Sequence, residues 1–243
     1  MTRTVPARRR GVNLREPVSL ALYGERRLED ESPEPGRRGE KVLRTLERSE
    51  AGGRRGRRRE EVLRTAARIF SEMGYRGATL EDIAGALNVT QPALYYYARS
   101  KEELLAECGQ FALTIIRKAF EEAEHEPSGL AQLTAFYRRW AEIICDDFGR
   151  CFALTDVRDL SEERAEGWHR EQKTLNRAVE AMILRGMADG SIAEHDPGNL
   201  RRVLFSAFNS VPRWYRPSGG ATPVQIADEL LTVFIEGLKP RRD

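Results

Sequence analysis

Along most of the chain, apolar positions recur with the period of a helix. Val62, Ala66, Ile69, Phe70 and Met73 fall at i, i+4, i+7, i+8 and i+11, which predicts one helix over 58–73 with a single apolar stripe. Gly74 follows in the position where helices commonly stop. Thr79, with Asp82 three residues on, reads as a capping-box-like start of a second helix. Ser100-Lys101-Glu102-Glu103 repeats that start signal for a longer helix running towards His125, and Pro127-Ser128-Gly129 breaks the chain. Further helices are predicted near 130–147, 151–160, 162–189, 197–214 and 223–238. Their separators are Gly149, Ser161, Gly190, Asp196-Pro197 and the segment from Arg216 to Gly220. Asp196 before Pro197 and Thr222 before Pro223 each place a capping residue ahead of proline at the first helical position. No stretch shows sustained strand alternation, so the expected fold class is all-α.

Residues 1–56 follow a different pattern. They are rich in Arg, Glu, Pro and Gly, with Ser32-Pro33-Glu34-Pro35-Gly36 in the middle and Gly52-Gly53 near the end. Such composition predicts a disordered extension, with room for a short helix over 41–49. The net charge of +2 conceals an asymmetry: residues 1–60 carry 17 Lys/Arg against 10 Asp/Glu, a net of +7, and the rest of the chain is net −5. A basic arm on a neutral-to-acidic body points to a polyanionic partner at one end. The expected organisation is a disordered basic extension over 1–56, a three-helix domain over 57–105 and a larger helical domain over 106–243.

Composition narrows the function classes. No apolar run approaches the roughly 18 residues that span a bilayer, and the apolar stretch 18–23 is too short for a secretory core, so no membrane partner and a cytoplasmic location are expected. Cys108, Cys145 and Cys151 form no CxxC pair, which suits a reducing compartment. His125, His169 and His195 lie far apart with no zinc-binding spacing, so neither a metal nor a cofactor is expected. No nucleophile–base pair or Gly-rich phosphate loop occurs at a recognisable spacing, which argues against an enzyme.

The segment from Thr79 to Tyr97 carries the sharpest signal. Two helices crossing steeply through a short turn need a small residue where they touch, and Ala84 supplies it. A residue tolerant of the left-handed conformation is needed in the turn, and Asn88 supplies that. Ile83, Leu87, Val89 and Leu94 are placed to lock the pair, Thr90 is placed to cap the second helix, and Pro92 is tolerated in its first turn. The same spacings occur in helical hairpins that bind no nucleic acid. The second helix adds chemistry: Gln91 can pair bidentately with adenine, and Pro92 and Ala93 can meet a thymine methyl. Of Tyr95, Tyr96 and Tyr97, at least one hydroxyl should project towards phosphate, and Tyr97 is expected mainly in the core.

The run from Val89 to Leu105 resembles the recognition helix and fourth-helix start of the TetR family, as do Gly74-Tyr75 and Thr79-Leu80-Glu81-Asp82-Ile83-Ala84. The resemblance implies base-edge contacts by Gln91, Pro92, Ala93 and Tyr95, and phosphate contacts by Thr79, Tyr96 and Lys101; Thr90 belongs to the same DNA-facing set. It also implies a sequence-specific transcriptional regulator, a repressor released from a palindromic operator on double-stranded DNA by a small-molecule effector. Ala98 departs from the family pattern, where phenylalanine is common. Residues 61–110 hold five Lys/Arg and seven Asp/Glu, a poor balance for phosphate. Arg54, Arg55, Arg57, Arg58 and Arg59 just upstream can supply the missing charge, or serve as a solvated linker.

By the same resemblance, the last two helices should pair with a second subunit to form a homodimer. Their stripes agree: Leu200, Val203, Leu204, Ala207, Phe208 and Val211 in one, Ala227, Leu230, Leu231, Phe234 and Leu238 in the other. Ordinary intrachain core gives equally wide stripes. The segment Trp214-Tyr215-Arg216-Pro217-Ser218-Gly219-Gly220 is similar to the end of the subgroup that senses acyl-CoA thioesters, which implies such a thioester, or a related lipid or steroid metabolite, as effector. Arg164 and Trp168, one turn apart, can meet a phosphate and an adenine or acyl face. Phe136, Trp140, Phe152 and Phe208 are the candidate pocket walls. Alternatives are a regulator of efflux or detoxification genes that senses an apolar drug-like molecule, and an adaptor that does not bind DNA.

Overall fold

The computed structural model describes the backbone of residues 38–236 and the side chains of residues 56–236. The chain divides into units over 1–47 and 48–243. Of the first, residues 38–47 are described, and they are helical. The second holds all of the described side chains.

The described residues form helices and no strands. Helix α1 (Arg38–Gly77) starts well before the apolar stripe that predicts it and reaches into the segment read from the sequence as an extension. The Arg, Glu, Lys and Leu that dominate 38–51 are good helix formers. Gly74 has φ 74° and ψ 157°, so the helix proper ends there, as the sequence predicts, and Tyr75–Gly77 form a separate turn across a kink. Val62, Leu63, Ala66, Ala67, Ile69 and Phe70 are its buried face. Met73, the end of the predicted stripe, is exposed.

Helices α2 (Leu80–Ala86) and α3 (Gln91–Leu94) follow, then α4 (Lys101–Glu124), α5 (Gly129–Cys145), α6 (Asp147–Leu154), a 3₁₀ turn (Val157–Asp159), α7 (Glu162–Asp189), α8 (Pro197–Trp214) and α9 (Pro223–Glu236). Ser100, Ser128 and Asp196 cap α4, α5 and α8 with side-chain hydrogen bonds to first-turn amides.

The expected helix over 151–160 is corrected. Asp146 accepts a hydrogen bond from the Phe148 amide and starts α6 at Asp147. Gly149 is no breaker: a Cβ there would lie 2.0 Å from the Ile143 carbonyl oxygen, so glycine lets α6 turn tightly against the end of α5. The chain leaves the helix after Leu154, and the Asp156 carboxylate organises the 3₁₀ turn by accepting from the Arg158 amide at 3.0 Å.

Helix α5 is the hub, packed against α4, α6, α7, α8 and α9. It can be, because its apolar face is wide: Leu133, Phe136, Tyr137, Trp140, Ala141, Ile143 and Ile144 are all buried, while Arg138, Arg139 and Glu142 keep the opposite side polar. One continuous core runs from Val62 of α1 to Leu231 of α9.

Candidate nucleic-acid interface and effector site

The α2–α3 pair is built as its residues dictate. The Thr79 amide and hydroxyl both donate to Asp82 Oδ2, at 2.8 and 2.6 Å, and the Asp82 amide returns a bond to Thr79 Oγ1 at 3.1 Å. These bonds from Thr79 hold the Asp82 carboxyl below the usual carboxylate range. Asn88 adopts φ 54°, the left-handed conformation that the turn demands. Ile83, Ala84, Leu87 and Leu94 are buried where the helices meet, and Val89 packs on them.

Thr90 sits at the N-cap of α3 but makes no capping hydrogen bond, which corrects the expectation drawn from its position. Pro92 has no amide to offer, and the Ala93 amide bonds to the Thr90 carbonyl at 2.9 Å. The Thr90 hydroxyl is left free on the surface beside Gln91, Pro92 and Ala93, all exposed. Beyond Leu94 the backbone continues in tight turns, with the Tyr97 amide donating to Leu94 at 2.8 Å. Tyr95 is 52% and Tyr96 74% exposed, so two hydroxyls project. Tyr97 is half-buried, its ring edge-on to Tyr96 at 5.3 Å and its hydroxyl within reach of Arg58.

Two residues expected at phosphate have other work. The single hydroxyl proton of Thr79 goes to Asp82. Lys101 donates from Nζ to the carbonyls of Tyr75 and Ala78, at 2.8 and 2.9 Å, and lies 4.4 Å from the centre of the Tyr75 ring. It pins the turn between α1 and α2 and keeps one donor to spare. In the arginine cluster, the side chains of Arg54 and Arg55 lie outside the described residues. Arg58 pairs with Glu61 and Arg59 with Glu107, each at 2.7 Å, and Arg57 is exposed.

The effector candidates fall into two groups. Phe152 of α6 stacks on Trp168 of α7 at 4.6 Å, and Trp168 fits closely over Gly109 of α4, where a Cβ would come within 3.1 Å of the indole. Arg164, one turn earlier on α7, is exposed. Phe136, Trp140 and Phe208 lie instead in a ring cluster among α4, α5 and α8, and these three rings are buried. It also contains Phe120, Tyr137 and Phe205, which the sequence pattern does not single out. No ring contact joins the two groups among the described residues. Also unforeseen are bonds from α1 and the start of α4 to later parts of the chain: Arg64 to Asp146 at 2.8 Å, Arg76 to Asp159 at 2.6 Å, and the Ser161 amide to Glu102 at 3.1 Å. Among the described residues no His/Cys/Asp/Glu group could hold a metal ion, and no helix is long and apolar enough to cross a membrane.

Two family models match the chain: bacterial regulatory proteins of the tetR family over residues 62–108, and the tetracyclin repressor-like C-terminal domain over residues 126–238. The HTH-type transcriptional repressor KstR2 of Rhodococcus jostii is 30% identical over 179 residues, covering 71% of this chain and 87% of that protein. The chain belongs to the TetR family. Among solved structures, the TetR-family regulator PfmR of Thermus thermophilus is similar with a TM-score of 0.67 and 28% identity, over 74% of this chain and 99% of that one. AibR, solved in complex with isovaleryl coenzyme A and operator DNA, shares the fold with a TM-score of 0.65 and 21% identity, over 72% of this chain and 97% of that one. This TetR-family chain is a DNA-binding transcriptional regulator, and its α2–α3 pair is the helix-turn-helix.

Proposed function

We propose that this protein is a homodimeric repressor, acting in the cytoplasm, that leaves a palindromic operator when a coenzyme A thioester or related lipid or steroid metabolite binds its C-terminal helices. One observation carries the DNA half of the reading. Thr90, Gln91, Pro92, Ala93, Tyr95 and Tyr96 form an exposed face, held by a fully buried Leu94 and by the pinned turn beneath Lys101. Gln91, Pro92, Ala93 and Tyr95 read base edges, and Thr90 and Tyr96 bind phosphate. Lys101 contributes its remaining donor, and Thr79 acts chiefly by starting α2. Arg54, Arg55, Arg57, Arg58 and Arg59 add phosphate contacts. Their backbone lies in α1, and a helix about 10–12 Å across suits the phosphate ridge better than the narrow minor groove.

The thioester is supported by likeness: KstR2 is named a repressor, and AibR was solved with a coenzyme A thioester and its operator. In this chain, Arg164 and the Phe152–Trp168 stack offer a cation beside flat rings for the nucleotide part, and the Phe136, Trp140 and Phe208 cluster offers an apolar place for the acyl part. The DNA-binding domain is taken as 57–105 and the effector domain as 106–243. Dimerisation is supported by the outer faces of α8 and α9, where Val203, Val233 and Ile235 are exposed and Phe234 half-buried.

A mobility-shift titration of the full chain on DNA upstream of its own gene tests the reading. We expect a discrete shift reversed by acyl-coenzyme A and not by free coenzyme A. Absence of a shift on any upstream fragment contradicts DNA regulation there, and release by apolar drugs alone contradicts the thioester.

A further inference from the structure

Among the buried polar groups of α5, one has no partner. Gln132 donates its side-chain amide to the Glu124 carbonyl at 3.1 Å, and Trp140 donates its indole N–H to Asn209 Oδ1 at 3.1 Å. Tyr137 is 0% exposed, yet its hydroxyl meets no hydrogen-bond partner. The ring is held firmly, with Phe208 at 4.5 Å and Phe205 at 5.8 Å on α8, and Phe136 at 5.3 Å on its own helix. Phenylalanine would fill the same space among these rings without burying an unmet donor.

The surroundings define what the hydroxyl can take. Burial pushes the phenol well above its ordinary value, with Arg201 the charge that opposes the shift, so the group is a neutral donor at any working pH. The charge of Arg201 is already countered by Glu180, to which Nε donates at 2.7 Å, and Nη1 donates to Asn176 at 3.0 Å. An anion brought here would lose its hydration without gaining a free cation. A carbonyl oxygen on an apolar body matches the site: an uncharged acceptor for the O–H, and hydrocarbon against the rings.

We propose that Tyr137 is an effector-binding residue, whose hydroxyl donates a hydrogen bond to a ketone-type carbonyl on the apolar end of the ligand. The inference rests on the reading of the effector as a thioester whose acyl part enters the α5–α8 cluster, and it narrows that class. The preferred acyl group is oxygenated away from the thioester, with its hydrocarbon body against Phe136, Trp140, Phe205 and Phe208. A plain saturated acyl group leaves the hydroxyl unmet in the complex and binds less tightly.

Calorimetric titration of the full-length protein with cyclohexylpropanoyl-coenzyme A and with its ring-ketone counterpart tests this. The wild type should prefer the ketone by about tenfold, the worth of one neutral hydrogen bond. Tyr137→Phe should abolish the preference by weakening the ketone alone, and the melting temperature of the unliganded variant should stay level or rise. Equal wild-type affinity for the two thioesters overturns the inference. Equal weakening of both in the variant also overturns it, since that marks a packing role or a buried water. A fall of several degrees in the unliganded variant shows that the hydroxyl stabilises the protein itself, again contrary to the proposal. If neither thioester binds the wild type, the thioester reading fails, and this inference with it.

Discussion

Arg64 of α1 donates from Nη1 to Asp146 Oδ1 at 2.8 Å, between residues 82 apart in the sequence. Asp146 also caps α6 through the Phe148 amide, and the Arg64 guanidinium lies 4.8 Å from the centre of the Phe148 ring. One carboxylate therefore serves both the helix that supports the helix-turn-helix and the start of α6, which carries Phe152. A shift of α6 on effector binding would be felt directly at α1. The pair is partly exposed, and such pairs contribute about 0–1 kcal/mol to stability, so its larger effect should be on coupling. Arg64→Met should lower the unfolding free energy by no more than about 1 kcal/mol and leave operator affinity nearly intact, while raising the thioester concentration needed for release. A titration of operator-bound protein with ligand reads this out; an unchanged release midpoint removes the pair from the coupling path.

Gln91 should make a base-specific contact. Gln91→Ala is expected to cost about 1–3 kcal/mol and to relax preference at one position of each half-site. Binding measured on a panel of single-base operator variants checks this. A uniform loss over all sequences would instead mark Gln91 as a backbone contact.

Phe234 and Phe208 belong to one predicted pair of stripes but should behave differently. Phe208 is wholly buried against Tyr137 inside one protomer, and Phe234 is only half-buried. Phe208→Arg is therefore expected to abolish folding, because an unpaired charge would sit in the core. Phe234→Arg should give a folded monomer by light scattering with an unchanged circular dichroism spectrum. A stable dimer in the second variant places the interface elsewhere.

The arginine cluster has a salt signature. Each neutralised phosphate adds roughly 0.9 to the slope of log affinity against log salt. Replacing Arg54, Arg55, Arg57, Arg58 and Arg59 with serine should weaken operator binding, flatten that slope and leave base preference mostly intact. Because Arg58 and Arg59 already pair with Glu61 and Glu107, the flattening should fall short of five full contacts. An unchanged slope would make the cluster a solvated linker.

Much of the helix-turn-helix is legible from local chemistry. The Thr79–Asp82 cap, the left-handed Asn88, the stop at Gly74 and the exposed tyrosines each depend on residues within a few positions of one another. Thr90 misleads because the amide that would cap to its hydroxyl, that of Ala93, bonds to the Thr90 carbonyl instead. Gly149 misleads because a glycine that breaks a helix and one that admits a neighbouring backbone look alike in sequence. The ring cluster, the unmet hydroxyl of Tyr137 and the Arg64–Asp146 bond join residues far apart in the chain, where periodicity carries no information about partners. Phe208 shows the same limit: its stripe is visible, but not which neighbour it faces.

The expectations for operator binding and release depend on α3 reading operator DNA in two symmetric half-sites. Hydroxyl-radical footprinting of the full-length protein on its own upstream DNA decides whether it does. We expect two matching protected tracts whose centres lie about 34–36 Å apart, one helical turn, or a multiple of that spacing, both lost at the same concentration of Gln91→Ala protein. No protection, or one unpaired tract untouched by changes in Gln91, would contradict it.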